Sequence, residues 1–351
     1  MESDQTAQEN SPWHAGEIAL QNTVGAVARM DMMGRKFLRD HLIEQHRDFY
    51  EQLPFAVFGT VDADDMVWAS PRAGLPGFLT APDPTHLHVD AWLDPADPAS
   101  AGLAPGRGVA MIGIEPWTRR RNRVNGRIER ADDGGFTIAV EESFGNCPQY
   151  IQRRAPQFTR DPAMPSPAAP DRLGALDDAA RTLITITDSF YVASYADTAT
   201  GRRVDVSHRG GRPGFLRVDE QGVITIPDFA GNQFFNTLGN IHQTGKAGVV
   251  FIDWTSGDLL QISGDAEVVL ESPEIAAFTG AQRLWRLRPA PFCAGQRACR
   301  SPGSSPMIPG RPPSPEPAPG PKRRHGSTRP VLGRAGDLAS PPIPENCPAF
   351  M

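Results

Sequence analysis

The chain carries one β pattern twice, which restricts it to folds built from two like units. Ser70-Pro71-Arg72-Ala73-Gly74-Leu75-Pro76-Gly77-Phe78-Leu79 returns 137 residues later as Ser207-His208-Arg209-Gly210-Gly211-Arg212-Pro213-Gly214-Phe215-Leu216. Three more segments repeat in the same order. Residues 56–64 resemble 191–197, Gly108-Val109-Ala110-Met111-Ile112 matches Gly248-Val249-Val250-Phe251-Ile252 at an offset of 140, and Val124-Asn125-Gly126 matches Ile262-Ser263-Gly264 at 138. A duplicated unit buries a shared face, and the seam between copies is the natural place for a ligand.

Bulk properties narrow the function classes. A length of 351 residues suits two domains with ordinary cores. A net charge of −6 gives no general attraction for nucleic acid or an anionic membrane. No apolar run reaches spanning length, and residues 1–12 lack the basic and apolar parts of a secretory signal, so a cytoplasmic protein is expected. Cys147, Cys293, Cys299 and Cys347 contain no CxxC pair, which argues against a disulfide framework or a zinc site. His14, His86, His88 and His208 lack metal-ligand spacing, and no metal is expected. There is no Walker loop, GxGxxG fingerprint or GxSxG elbow.

Periodicity divides the chain. Leu38, Leu42, Ile43 and Phe49 recur at near-helical spacing, so residues 1–53 are predicted to be a helical segment ended by Pro54. Residues 54–155 form a first β unit, 156–175 a Pro-, Ala- and Ser-bearing linker, and 176–287 a second β unit whose end, 273–287, has a helical pattern. The tail, 288–351, holds nearly half of the 35 prolines and little apolar periodicity, so it is predicted to be disordered. The expected fold class is mainly β with flanking helices (α+β).

Four segments offer chemistry. Arg72 and Arg209 stand at the same place in each copy, beside turn glycines. Their planar donors suit phosphate oxygens, and a solvated hairpin arginine is the plainer alternative. Asn232, Asn236 and Asn240 are four apart. On a helix they share one face and could bind phosphate at its N-terminus; alternatively Asn232 is an N-cap and the others are surface residues. Arg119, Arg121 and Arg123 alternate with Arg120 and Asn122, giving either an anion-attracting strand face or a solvated edge. Cys147 lies in a polar turn with no local histidine, which favours a structural thiol over a nucleophile.

Taken together, these segments resemble a known family. An Asp-rich turn between strands, Ser-x-Arg-Gly at 207–210, Pro227-Asp228-Phe229-Ala230-Gly231-Asn232 and Gly248-Val249-Val250-Phe251-Ile252-Asp253 look like the FMN-binding split barrel of pyridoxamine 5′-phosphate oxidase. The match extends over residues 11–287, from Trp13-His14-Ala15-Gly16-Glu17 onward, and is nearest to the subgroup with two tandem units. The resemblance implies two tandem split β-barrels forming an intrachain pseudo-dimer, either monomeric or as a homodimer. It implies FMN at the seam, a small-molecule redox substrate, and NADH or NADPH as a candidate electron donor. It also implies cofactor contacts from Ser207, His208, Arg209, Asn232, Asn236, Thr237 and Gln261, with Ser70, Arg72, Arg121 and Asn125 approaching from the first copy. Many members carry a basic residue near the position of Asn236, so phosphate charge here would come from arginines elsewhere. The family's pyridoxamine-phosphate contacts are absent, and no catalytic acid or base is assigned.

Overall fold

The computed structural model describes residues 11–289 except 92, 146, 159 and 165–169, together with the backbone of 298–301 and 307–310. Three helices open it: α1 (Ala15–Thr23), α2 (Val27–Phe37) and α3 (Glu44–Glu51). The first unit then runs β1 (Phe55–Val61), β2 (Val67–Ala73), β3 (Leu79–Asp83), β4 (His86–Asp90), a 3-10 turn (Pro98–Gly102), β5 (Gly108–Glu115), β6 (Arg120–Asp132) and β7 (Gly135–Gly145). Short strands β8 (Ala155–Phe158) and β9 (Asp171–Arg172) and helix α4 (Asp178–Ile186) lead to the second unit. That unit comprises β10 (Ser189–Thr198), β11 (Gly201–Gly210), β12 (Arg217–Val218), β13 (Ile224–Phe229), α5 (Asn236–Thr244), β14 (Lys246–Ile252), β15 (Leu259–Val269) and β16 (Ala281–Pro289). The protein is therefore mainly β with flanking helices.

The two sheets have the same topology. The first is ordered β2-β1-β5-β6-β7-β4-β3 and the second β11-β10-β14-β15-β16-β13-β12, strand for strand the same path. All pairings in both are antiparallel. The ladders also fix the register between copies. Ser70, Phe58, Met111 and Val124 form one row, and Ser207, Val192, Val249 and Ile262 form its counterpart. Met111 thus corresponds to Val249, correcting the sequence match on this strand by two residues. A two-residue slip leaves every side chain on its original face, so hydrophobic pattern alone does not reveal it.

Alternation along the central strands divides the apolar residues among three cores. Ala56, Phe58, Val109 and Met111 face the first unit's own core, with Phe136 and Ile138. Phe190, Val192, Val249 and Phe251 face the second unit's core, with Trp285 and Leu287. Their neighbours turn the other way. Phe55, Val57, Ala110 and Ile112 meet Tyr191, Ala193, Val206 and Val250 in a third core that both units share. Strands β1, β5, β10 and β14 are therefore buried on both faces.

The shared core permits close approach only where a side chain is missing. A Cβ on Gly248 of β14 would lie 2.0 Å from the Val67 carbonyl oxygen on β2. Between the corresponding strands on the other side, a Cβ on Gly108 of β5 would lie 2.7 Å from the Arg202 carbonyl oxygen on β11.

Several expectations need correction. The N-terminal segment is three helices rather than one run, and Leu38, Leu42 and Ile43 lie between helices. There the chain turns aside to bond elsewhere: Arg39 exchanges backbone hydrogen bonds with Ser143, and Leu42 N donates to the Pro84 carbonyl. Residues 273–287 are not a helix but a 3-10 turn (Pro273–Ala277) followed by β16. Trp285 and Leu287 point inward while Arg286 and Arg288 are more exposed, which is the alternation of a strand. The linker includes β8 and β9. Most of the tail lies outside the described residues, but β17 (Ala298–Ser301) pairs with β15 and β9, and β18 (Met307–Gly310) pairs with β8. Residues 259–262 of β15 offer an edge beyond its pairing with β16, and an open edge recruits strands. Among the described residues, no helix is long and apolar enough to cross a membrane.

Closing the Gly248 gap tests the seam. Gly248→Val is expected to destabilise the protein by at least about 2 kcal/mol in urea denaturation, because the new side chain overlaps backbone. Gly174→Ala, with nothing within 4 Å of the added carbon, should stay within about 0.5 kcal/mol. Equal effects would show that the sheets are not held this closely.

Candidate functional site

The seam brings β6 of the first unit against β11 of the second. Beside that contact opens a cleft enclosing about 950 Å³ of non-protein space, its solvent-filled mouth included. β6 contributes Arg121 and Arg123, and β11 contributes Ser207, His208 and Arg209. The opposite wall is Asp228 and Phe229 at the end of β13, the loop through Asn232, and the start of α5 at Asn236 and Thr237. Arg283 on β16 and the Cys147–Tyr150 turn complete the lining.

The local backbone is shaped for this wall. The Asn232 side chain accepts a hydrogen bond from Phe234 N at 3.1 Å, forming a turn. Gln233 and Phe235 adopt positive φ values of 63° and 64°, a region that side chains other than Gly or Asn enter at a cost. Phe235 is also the N-cap of α5, and it offers no side-chain acceptor to the first amides of the helix. An uncapped helix start carries partial positive charge into the cleft wall.

Charge in the cleft is out of balance. Arg123 donates to Asp205 at 2.7 Å and to Ser207 Oγ at 2.6 Å, and Thr237 Oγ1 donates to the same Ser207 oxygen at 2.8 Å. Arg209 and Arg283 share Asp228, at 2.7 and 3.2 Å. That leaves four arginines against two carboxylates. Among the described residues, Arg121 makes no side-chain hydrogen bond or ion pair, and its buried Nε lacks an acceptor. Nε of Arg123, Nε of Arg209 and Nδ1 of His208 are also buried without partners. Burial, then the Arg123 and Arg209 charges, pull Arg121 down to about 9, so it is still a cation at neutral pH. Burial, followed by the charges of Arg121, Arg154, Arg209 and Arg123, pushes His208 well below its usual value and keeps it neutral. Such a set of donors with no acceptor fits an anion presenting several oxygens.

The structure gathers Ser207, His208, Arg209, Asn232, Asn236, Thr237 and Arg121 around the cleft. It separates the other expected residues from it. Ser70, Arg72 and Gln261 meet around Asp97 on the opposite side of the seam. The duplication explains this, because strands β2 and β15 are the counterparts of β11 and β6. Asn125 lies too far along β6 and donates to Glu142 at 3.1 Å. Asn240 faces away from the cleft, bonded to His14 at 2.8 Å and Ser194 at 3.0 Å. Arg120 lies on the other face of β6, over the Phe49 ring. Sequence reasoning missed Asp228 and Arg283 as cleft residues and Asp205 as the partner of Arg123 behind them. Asp205 was detectable as the residue two before Ser207, hence on the same strand face. Arg283 was hidden by the helical reading of 273–287.

No protein-family model and no curated protein matches the chain. Sixteen solved chains do match in structure. HupZ from Group A Streptococcus is 14% identical, over 34% of this chain and 98% of its own, with a TM-score of 0.27. A Lactobacillus delbrueckii protein provisionally described as a pyridoxamine 5′-phosphate oxidase is 20% identical, over 30% and 95%, with a TM-score of 0.25. A heme binding protein from Mycobacterium smegmatis is 18% identical, over 37% and 60%, with a TM-score of 0.21.

Behind the cleft, α1 crosses α5 where a Cβ on Gly16 would lie 2.2 Å from the Gly239 carbonyl oxygen. This crossing buries Glu17, which accepts from Asn236 Nδ2 at 2.6 Å and from His14 N at 3.0 Å. Burial raises Glu17 from 4.5 to about 7. Its contribution to stability is therefore complete below about pH 4.5 and is lost as pH rises through about 7. His14 and His46, each lowered to about 4 mainly by burial, act in the opposite sense, since their contribution is lost as pH falls from 6.5 toward 4. Glu17→Gln should remove the first effect and leave the second. Urea midpoints across this range should show the parent losing up to about 3 kcal/mol relative to the variant as pH rises. A difference that does not change with pH would overturn the assignment.

Proposed function

We propose that the chain is a cytoplasmic FMN-binding oxidoreductase of the pyridoxamine 5′-phosphate oxidase-like kind, acting on a small-molecule redox substrate. In this reading the two sheet units are tandem split barrels arranged as a pseudo-dimer within one chain, which works alone or as a homodimer. The observation that carries it is the cleft's excess of arginine over carboxylate, with buried N–H groups that lack acceptors. A phosphate monoester supplies about two negative charges and three acceptor oxygens, which is what this donor set lacks.

Arg121 would hold the phosphate directly, with Arg209 and the first amides of α5 beside it. Arg123 is committed to Asp205 and Ser207, so it would orient Ser207 and Thr237 rather than bind alone. The apolar part of the cleft, with Phe215, Phe229 and Phe235, offers the flat surface a ring system needs. Bound FMN supplies hydride and electron transfer, while the protein supplies position, charge and exclusion of water.

One observation favours a second reading, a carrier that holds a flavin or related phosphorylated ligand without turnover. Asp205 and Asp228 are both engaged by arginines, and His208 is held neutral among four cations. Neither these carboxylates nor His208 is thus an evident proton donor to a substrate.

The visible spectrum of the purified protein, before and after adding FMN, separates these readings. Flavin bands near ~370 and ~450 nm are expected. A colourless protein that takes up no FMN overturns both readings, and a haem spectrum instead assigns the cleft to a different anionic cofactor. Anaerobic bleaching by NADH or NADPH supports the oxidoreductase. A flavin that resists these and other donors supports the carrier. Arg121→Ala is expected to weaken FMN binding by about 1.5–3 kcal/mol without loss of stability, because it removes a charged donor that no internal partner uses. Unchanged affinity would exclude Arg121 from the phosphate site.

A further inference from the structure

The duplication creates a counterpart to the cleft on the other side of the seam. The ladder rows that match Ser70 with Ser207 also match Arg72 with Arg209, Gln261 with Arg123 and Leu259 with Arg121. The 3-10 turn Pro98–Gly102 lies between β4 and β5, as α5 lies between β13 and β14. Asp97 is the N-cap of that turn, where Phe235 is the N-cap of α5.

This counterpart holds its own anionic group, with Arg72 Nε left as a buried N–H without a partner. The Asp97 carboxylate lies 3.0 Å from Arg72 Nη2, and its second oxygen accepts from Gln261 Nε2 at 3.0 Å and from Ala99 N at 3.0 Å. Ser70 Oγ donates to it as well. Side chains from both units and a backbone amide thus converge on one carboxylate that is 12% exposed. In the cleft, the matching N-cap is Phe235, which has no carboxylate, and an additional cation stands at Arg121.

We propose that the first unit carries a second anion position, shaped for a phosphate or carboxylate, and that Asp97 seals it by occupying the place of the ligand's charged group. The chain consequently takes one ligand rather than two, and removing this carboxylate opens the second position to an external anion. The comparison rests on reading the cleft as an anion site, so the test separates the two positions.

Equilibrium dialysis of the full chain against labelled inorganic phosphate counts them. One phosphate is expected on the parent, two on Asp97→Ala, and one on Asp97→Ala/Arg72→Ala. In an Arg121→Ala/Arg209→Ala background the count should rise from none to one when Asp97→Ala is added. A folded Asp97→Ala protein that binds no more than its parent in both backgrounds overturns the proposal. A parent that binds none, with one phosphate gained on Asp97→Ala, supports the sealed position while overturning the cleft reading. Should Asp97→Ala fail to fold, formate or phosphate is expected to restore its circular dichroism but not that of Asp97→Ala/Arg72→Ala. Absence of rescue, or equal rescue of both, overturns the proposal.

Discussion

The shared core between the two sheets is the interaction on which the other features depend. Residues of β1 and β5 such as Val57 and Ile112 pack against Tyr191, Ala193 and Val250, while their strand neighbours face each unit's own interior. A strand buried on both faces cannot shift by one residue without exchanging the side chains that fill its two cores. The seam therefore sets register as well as contact. It also sets the site, because Arg121 and Arg123 come from one unit and Ser207 and Arg209 from the other. Neither unit alone contains the cleft.

Electrostatics then distinguishes the two sides of the seam. A guanidinium removed from water is costly unless an opposite charge or acceptor replaces the lost hydration. Around Asp97 the replacement is internal: Arg72 Nη2, Ser70 and Gln261 share its carboxylate, while Arg72 Nε is buried without a partner. In the cleft, Asp205 and Asp228 cover only part of the demand, and Arg121 is left with its Nε buried and unpaired. The sealed side serves as an internal reference for a site that holds its own carboxylate. Measured against it, the cleft lacks one anionic group.

Much of this organisation was legible in the residues. Glycine and proline punctuate the two copies at matching places, and the alternating strands between them carry the duplication plainly. Register was not legible, since a two-residue slip on β5 keeps Met111 and its neighbours on the same faces. β16 was misread because Leu284, Trp285 and Leu287 fit a helical spacing as well as a strand buried on both sides. The arginines were recognisable by type, but Arg72 and Arg121 look alike in sequence. Only the three-dimensional position of Asp97, an unremarkable aspartate before a turn, separates a neutralised arginine from an open one.

That separation has a consequence for how the duplicated chain divides its work. Two identical units around a twofold axis would present two identical sites, and a substitution in either would change both. Once the units share one chain, each side of the seam varies independently. Here Leu259 and Gln261 stand where Arg121 and Arg123 do, and Asp97 stands where Phe235 does. All three exchanges reduce positive charge or add negative charge on one side alone. The side closed in this way pairs Arg72 with an internal carboxylate and contributes to holding β2 against β15. The other keeps a strained loop, an uncapped helix and, in Arg121, an unpaired cation, features that a bound anion would compensate.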